Sequence, residues 1–427
     1  MGKDNSLSIV FWTAILTGIV VGSFYEAQWK GDSTEYILYT HALATHQSAD
    51  FRGEDISYVM DIMKQGDPEF LEIAPTIGKG EEFGKKSQYD GKGYLTASNG
   101  QIYSWHFWLY PLLVTPFFKL TQWMGSSPIN SFIMCNWMFV FLALGYLASR
   151  WKGTFWQKQI LAGLFLSSGT TYYIWWPHPE IFTASLLLLS LMSFTDRRYI
   201  LSMFCTALAA TQNPPLLFLQ AAIAGKVLID SDILKTDLAS IKKNIEINYP
   251  ILLATAGLFL IALSPVIFFE YKLGVSNPII ATGWSDAKLI SWSRLFSVFF
   301  DLNQGMVVAA PGLYIGIIIV LSGFFFRGRF DLVWVLPLFI GISISAILAI
   351  PSLSTINWNH GQSVFSRYAY WLTVPISFGL TLSFRPLSRR FILSLATIVL
   401  LCQIMTMLYY GIWGNNWRSK TNTFLIS

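Results

Sequence analysis

The chain is short of charge. Only 12% of its 427 residues are Asp, Glu, Lys or Arg, where a soluble domain carries about a quarter. That excludes an ordinary soluble enzyme, and a net charge of +5 gives no case for a nucleic-acid partner. Cysteine is scarce too. Cys135, Cys205 and Cys402 all lie inside apolar runs, so no disulfide framework is implied. There is no Walker loop, no Rossmann glycine pattern and no His-Glu-x-x-His pair, which leaves nothing to suggest a bound nucleotide. No internal repeat or low-complexity tract divides the chain.

What it has in abundance is apolar length. It is 53% hydrophobic, with a mean hydropathy of +0.48. Apolar runs occupy residues 7–25, 107–124, 129–149, 160–176, 181–194, 200–210, 216–229, 251–269, 306–326, 332–350, 370–384 and 391–410. Several approach the roughly 20 residues that cross a bilayer. In lipid the backbone must satisfy its own hydrogen bonds, which such runs do as helices. The expectation is an all-α polytopic membrane protein, one integral domain over residues 1–427. The first run is longer than a signal-peptide core and has no clear cleavage site, so it is read as a helix.

Between the first two runs lies a polar loop, residues 26–106, rich in Asp and Glu. It carries His41 and His46, and His106 stands at its exit. A loop this long is either functional or disordered. Apolar residues recur through it, which predicts that it is largely folded. Ile56, Val59, Met60 and Met63 fall at helical spacing, and Asn99-Gly100 beside an extended aromatic stretch predicts a hairpin. Most of the carboxylates between Asp32 and His106 read as solvated surface.

Orientation turns on residues 107–124. If they span fully, the positive-inside rule makes the loop cytoplasmic; if they lie in the interface or re-enter, the loop is outside. Pro111, Pro116 and Lys119 suit an irregular interfacial element, which is the reading taken here. About eleven spanning helices then remain, by length and charge. All five histidines, His41, His46, His106, His178 and His360, then share the outer face.

Four constellations could carry chemistry there. Asp32, just past the first run, is either a helix cap or a general base whose basicity desolvation raises. His106 ends an aromatic approach to the membrane, where an aromatic belt explains the Trp and Tyr residues but not the histidine. His178 and Glu180, in Pro177-His178-Pro179-Glu180, would project near the outer surface, or Glu180 simply starts a helix. Arg367 suits a phosphate through its planar fork, or it snorkels as an anchor. Acids and histidines outside are compatible with a divalent metal, but no spacing specifies one.

Gly31-Asp32, Glu35-Tyr36 and Thr40-His41-Ala42-Leu43 resemble the Gly-Asp-Glu-Pro-His-Tyr opening of the GT-C glycosyltransferases that use polyprenyl-phosphate sugars, a set that includes protein mannosyltransferases and aminoarabinose transferases. Asn99 to His106, with Tyr110-Pro111-Leu112-Leu113, is similar to that family's glycine-aromatic-Ser-x-His approach to a proline-leucine element. His178-Pro179-Glu180 and Ser366-Arg367-Tyr368 resemble weaker outer-face motifs. Ser33-Thr34 stands where the family has Glu-Pro, and Thr211-Gln212-Asn213 lacks an arginine often found there. The resemblance implies a long first extracytoplasmic loop with membrane-parallel helices and an inverting transferase in a bacterial inner or plasma membrane, with Asp32 as general base. Glu35, His41, His106, His178, Glu180, Arg367 and Tyr368 would bind substrate. The donor would be a polyprenyl-phosphate sugar, and the acceptor a lipid, a glycan or a protein. A lipid-linked oligosaccharide polymerase or ligase and a non-enzymatic transporter are the alternatives.

Overall fold

The computed structural model describes residues 32–62, 74–77, 81–83, 87–91, 93–230, 238–302, 305–326, 332–356 and 367–384, with a few single positions beyond them. The first apolar run, His360 and all but single positions of the last run lie outside the described residues. Among the described residues the fold is mostly helical, with four short strands. Three helices there are long and apolar enough to cross a membrane: Ile129–Ser149, Tyr249–Leu273 and Leu332–Ser354. Shorter apolar helices occupy Glu180–Thr195, Tyr199–Ala210 and Pro311–Gly323. Leu253, Leu260, Ile267 and Tyr271 stand exposed along the second long helix, a surface that lipid suits better than water.

Where it is described, the polar loop is folded. Helix α1 (Ser33–Thr45) is buried on every side from Ser33 to Ala42. A helix without a polar face belongs inside a protein. Helix α2 (Gly53–Ile62) follows, burying Asp55 and Val59. Four strands, β1 (Glu81–Phe83), β2 (Ser87–Gly91), β3 (Tyr94–Ala97) and β4 (Ile102–Ser104), then form an antiparallel meander in chain order. The β3–β4 turn holds Asn99-Gly100, as the hairpin signal predicts, with Gly100 N–H donating to Ala97 O at 2.8 Å.

Residues 107–124 are regular where an irregular element was expected. They form a continuous helix, α3 (Leu109–Trp123), with Pro116 inside it. Pro111 sits in the first turn, where a missing N–H costs nothing, and Pro116 forfeits a single bond. At 15 residues α3 is shorter than a straight span needs. It packs against α1, and its far end is bare, with Trp123 84% exposed.

Run 129–149 forms one helix, α4 (Ile129–Ser149), whereas run 160–176 does not. Helix α5 (Phe155–Phe165) gives way to a wide turn over Leu166–Thr170, where Gly169 adopts φ +115°. Beyond the turn Trp175-Trp176-Pro177-His178-Pro179 leads into α6 (Glu180–Thr195).

Two further helices place the site. Helix α7 (Leu332–Ala349) and helix α8 (Arg367–Ser383) pack backbone to backbone. A Cβ on Gly341 would stand 2.3 Å from Pro375 O, and one on Gly379 would stand 2.3 Å from Pro337 O. Only glycine permits that approach, as in small-residue contacts between membrane helices. Helix α8 also lies against α6, so their first residues, Arg367 and Glu180, meet.

Candidate active site

Six sequence-selected residues converge from four stretches of chain. Asp32 occupies the N-cap position of α1, yet makes no side-chain capping bond. Its Oδ2 instead accepts from Arg367 Nη1 at 2.7 Å and lies 3.2 Å from His106 Nε2. The capping alternative is therefore not realised. Arg367 does not snorkel: its Nε lies 3.1 Å from Glu180 Oε1, and its Nη1 reaches His178 Nδ1 at 3.2 Å. Glu35, one turn beyond Asp32, lies 3.7 Å from His106 Nε2.

The geometry fixes one tautomer. A guanidinium can only donate, so His178 Nδ1 is the acceptor and its proton sits on Nε2. That Nε2 stands 3.3 Å from Ser33 Oγ, an acceptor for it. His178 is 1% exposed, which corrects the expectation that it projects to the surface.

Local structure holds these groups in register. Tyr39 OH donates to Ser104 O and accepts from Ser104 N–H, both at 3.0 Å, tying α1 to β4. Ser104 Oγ donates to Glu35 and accepts from His106 N–H. The Tyr36 ring stacks on His106 with centroids 5.0 Å apart and meets His178 edge-on. Gly93, at φ +93°, lets the β2–β3 turn close over Glu35 and Trp105: a Cβ there would stand 2.6 Å from Glu35 Oε1. Asn136 of α4 accepts from Tyr110 OH at 2.8 Å and donates to Ile174 O and Trp176 O at 3.1 and 3.0 Å. It thereby anchors the turn that carries His178. Sequence reasoning missed Asn136 and gave Tyr36, Tyr39 and Ser104 no role of their own. A lone Asn inside an apolar run was the available signal, since a polar group there must find partners.

Electrostatics divides the carboxylates. Burial pushes the Asp32 carboxyl up, but the charges of Arg367 and His106 outweigh it and hold the group well below the usual carboxylate range. The expected rise in basicity is thus reversed, because desolvation is not the only force on Asp32. Burial pushes Glu35 up to about 8, with Asp32 adding to the rise and His106 opposing it. Burial lowers His106, yet Glu35 and Asp32 together raise it above its ordinary value. Glu180, ahead of the apolar run that starts at Ile181, is pushed to about 7 by burial against the pull of Arg367. Near neutral pH the site therefore holds an ionised Asp32 beside a protonated Glu35. The Asp32 side chain is 25% exposed, against 5% for Glu35 and 7% for Glu180, so it is the carboxylate a substrate can reach.

Asp32, Glu35 and His106 offer ligand atoms within 4.8 Å of one another, a spacing that could hold a cation. The Asp32 oxygen turned toward His106 is, however, the one that Arg367 holds. A metal there would sit against the guanidinium that holds one Asp32 oxygen.

His41 lies apart. Its Nδ1 is 2.6 Å from Asp55 Oδ1, its ring stacks on Tyr58 at 4.0 Å, and His46 Nε2 reaches Asp55 Oδ2 at 3.0 Å. This second cluster joins α1 to α2, and its named contacts do not bring His41 to Asp32. Asp55 and Asp50 are buried, exceptions to the reading of the loop's carboxylates as solvated surface, whereas Glu54, Asp61 and Glu72 are exposed. The side chain of Tyr368 lies outside the described residues.

No protein-family model, curated protein or solved structure matches the chain significantly.

Proposed function

We propose that the chain is a multi-pass membrane glycosyltransferase of the GT-C kind, with about eleven spanning helices and its site on the extracytoplasmic face. It would transfer a sugar from a polyprenyl-phosphate donor to an acceptor hydroxyl. One observation carries the reading: an ionised, reachable carboxylate directly after the first apolar run is paired with an arginine from a helix more than 300 residues away, |i−j| = 335. A base for the acceptor and a cation for a phosphate thus share one site beside apolar helices.

The chemistry follows from those two groups. The acceptor oxygen attacks the anomeric carbon while Asp32 takes its proton. The bond from that carbon to the phosphate oxygen breaks on the opposite face, so the anomeric configuration inverts. The lipid phosphate leaves with the electron pair, and Arg367 stabilises the charge that develops on it. Preorganised charge at a leaving group is usually the largest catalytic contribution. Glu180 and His178 orient the guanidinium, and His106 steadies Asp32. No step needs a metal. Charge that gathers at the first residues of helices, rather than within apolar spans, favours this reading over a transporter. A functional loop that comes first rather than late favours it over a polymerase or ligase.

The test is a transfer assay with a panel of polyprenyl-phosphate sugars and membrane acceptors, read by mass analysis of labelled product. The reading predicts one donor sugar incorporated into a product with inverted anomeric configuration. Labelling from none of the donors would contradict it.

A further inference from the structure

As it stands the site is closed on itself. The carboxylate assigned as base and the guanidinium assigned to the phosphate hold each other, Arg367 Nη1 to Asp32 Oδ2 at 2.7 Å. Neither can work while the pair lasts. A carboxylate bound to a guanidinium is a weak base, and a guanidinium neutralised by carboxylates attracts a phosphate weakly. The two sides of the pair are unequal. Glu180, on the Nε edge, is 7% exposed, and His178 is 1% exposed. Asp32, on the Nη1 edge, is 25% exposed and so is the side open to a ligand. A phosphate, like a carboxylate, presents paired acceptor oxygens that the arginine fork matches.

Resting on the reading above, we propose that Arg367 is an exchangeable latch: it locks Asp32 in the donor-free protein, and the donor's phosphate draws Nη1 onto itself and releases Asp32 as the base. Glu180 keeps the Nε edge, so the guanidinium swings rather than leaves. His106 stays on Asp32. The acceptor hydroxyl is then deprotonated only when a donor is in place, and departure of the lipid phosphate resets the latch. Coupling of this kind is reciprocal: what frees Asp32 must favour phosphate on Arg367, and what removes the charge of Asp32 must favour phosphate equally.

That reciprocity gives a test that needs no turnover. Binding of farnesyl phosphate to the full chain in nanodiscs is measured for the wild type, Asp32→Asn, Arg367→Gln and the double variant, with farnesol and inorganic phosphate as controls. Melting curves of all four establish that each is folded. The latch predicts that Asp32→Asn, unable to transfer sugar, binds farnesyl phosphate about tenfold tighter than wild type. It also predicts that this gain vanishes in the Arg367→Gln background, as a double-mutant cycle detects. A gain of the same size in both backgrounds would mean simple charge repulsion and would overturn the latch. So would an Asp32→Asn affinity equal to or weaker than wild type. If farnesyl phosphate binds neither protein, or binds no better than farnesol, the phosphate-donor reading itself fails. If inorganic phosphate alone reproduces the pattern, the latch stands and the lipid chain adds nothing to it.

Discussion

Helix α1 carries a cluster of carboxylate and histidine at each end, and the two clusters are built differently. At its far end Asp55 is 0% exposed. Its Oδ1 is held by His41 at 2.6 Å, and its Oδ2 by His46 at 3.0 Å and by Arg52 N–H at 2.7 Å. Every partner comes from within 14 residues, and none carries a permanent charge. At its near end Asp32 is partly exposed, its named contacts converge on one oxygen, and its main partner is a permanent cation from the far end of the chain. The same residue types thus give a closed clamp in one place and an exchangeable ion pair in the other. Composition does not separate them; saturation, reach and charge do.

Three further experiments sharpen that contrast. The largest effect is expected for Arg367→Ala. Loss of the group that meets leaving-group charge should lower kcat/KM for the donor about 10²–10³-fold, with acceptor KM little changed in steady-state kinetics. Equal effects on donor and acceptor would return Arg367 to the role of an anchor.

Next comes Asn136→Ala. It strips Tyr110 OH and two backbone carbonyls of their buried partner, which should cost about 1–3 kcal/mol in denaturant unfolding. Turnover should fall as well, because the turn bearing His178 loosens. Full turnover would mean that the anchor does not position the site.

The smallest effect is a pH dependence. Glu35 has a folded pKa of about 8, above its ordinary 4.5. The folded state therefore binds this proton more tightly. The stability Glu35 contributes is full below the ordinary value and is lost as pH rises through about 8. Thermal midpoints of the wild type should drop between about pH 6 and about pH 9, and those of Glu35→Gln should drop less. Parallel profiles would mean that Glu35 does not hold the proton.

Much of this was legible in the sequence, and the gaps have physical causes. The apolar run at 129–149 marks its helix residue for residue, because burial along a whole helix needs no partner to be recognised. The hairpin at Asn99-Gly100 was equally plain, since its turn chemistry is local. Pro111 and Pro116 signalled irregular backbone, yet α3 is a continuous helix, because a proline in a first turn and a single missing bond are both tolerated there. Strands β1 and β2 carry too little alternation to be read. Asp32, Glu35, His106, His178, Glu180 and Arg367 were singled out one by one, whereas their pairing was not, because it depends on how distant helices pack. His41 looked like part of the same group for want of that information; Asp55, its partner, looked like surface. The lowered pKa of Asp32 belongs to the same class, since no local pattern places Arg367 beside it.

The contrast is tested most directly by a matched pair of substitutions at the two ends of α1. Transfer by Asp32→Asn and Asp55→Asn is measured per folded molecule, with the same lipid-phosphate sugar, beside each variant's unfolding curve. The account predicts that Asp32→Asn melts close to wild type and loses turnover at least about 10²-fold. Asp55→Asn, which takes a buried acceptor away from three donors, should lose about 1–3 kcal/mol of stability while its folded fraction turns over within a few-fold of wild type. Near wild-type turnover by Asp32→Asn, with turnover lost in folded Asp55→Asn, would contradict the account and move the reaction to the other end of the helix.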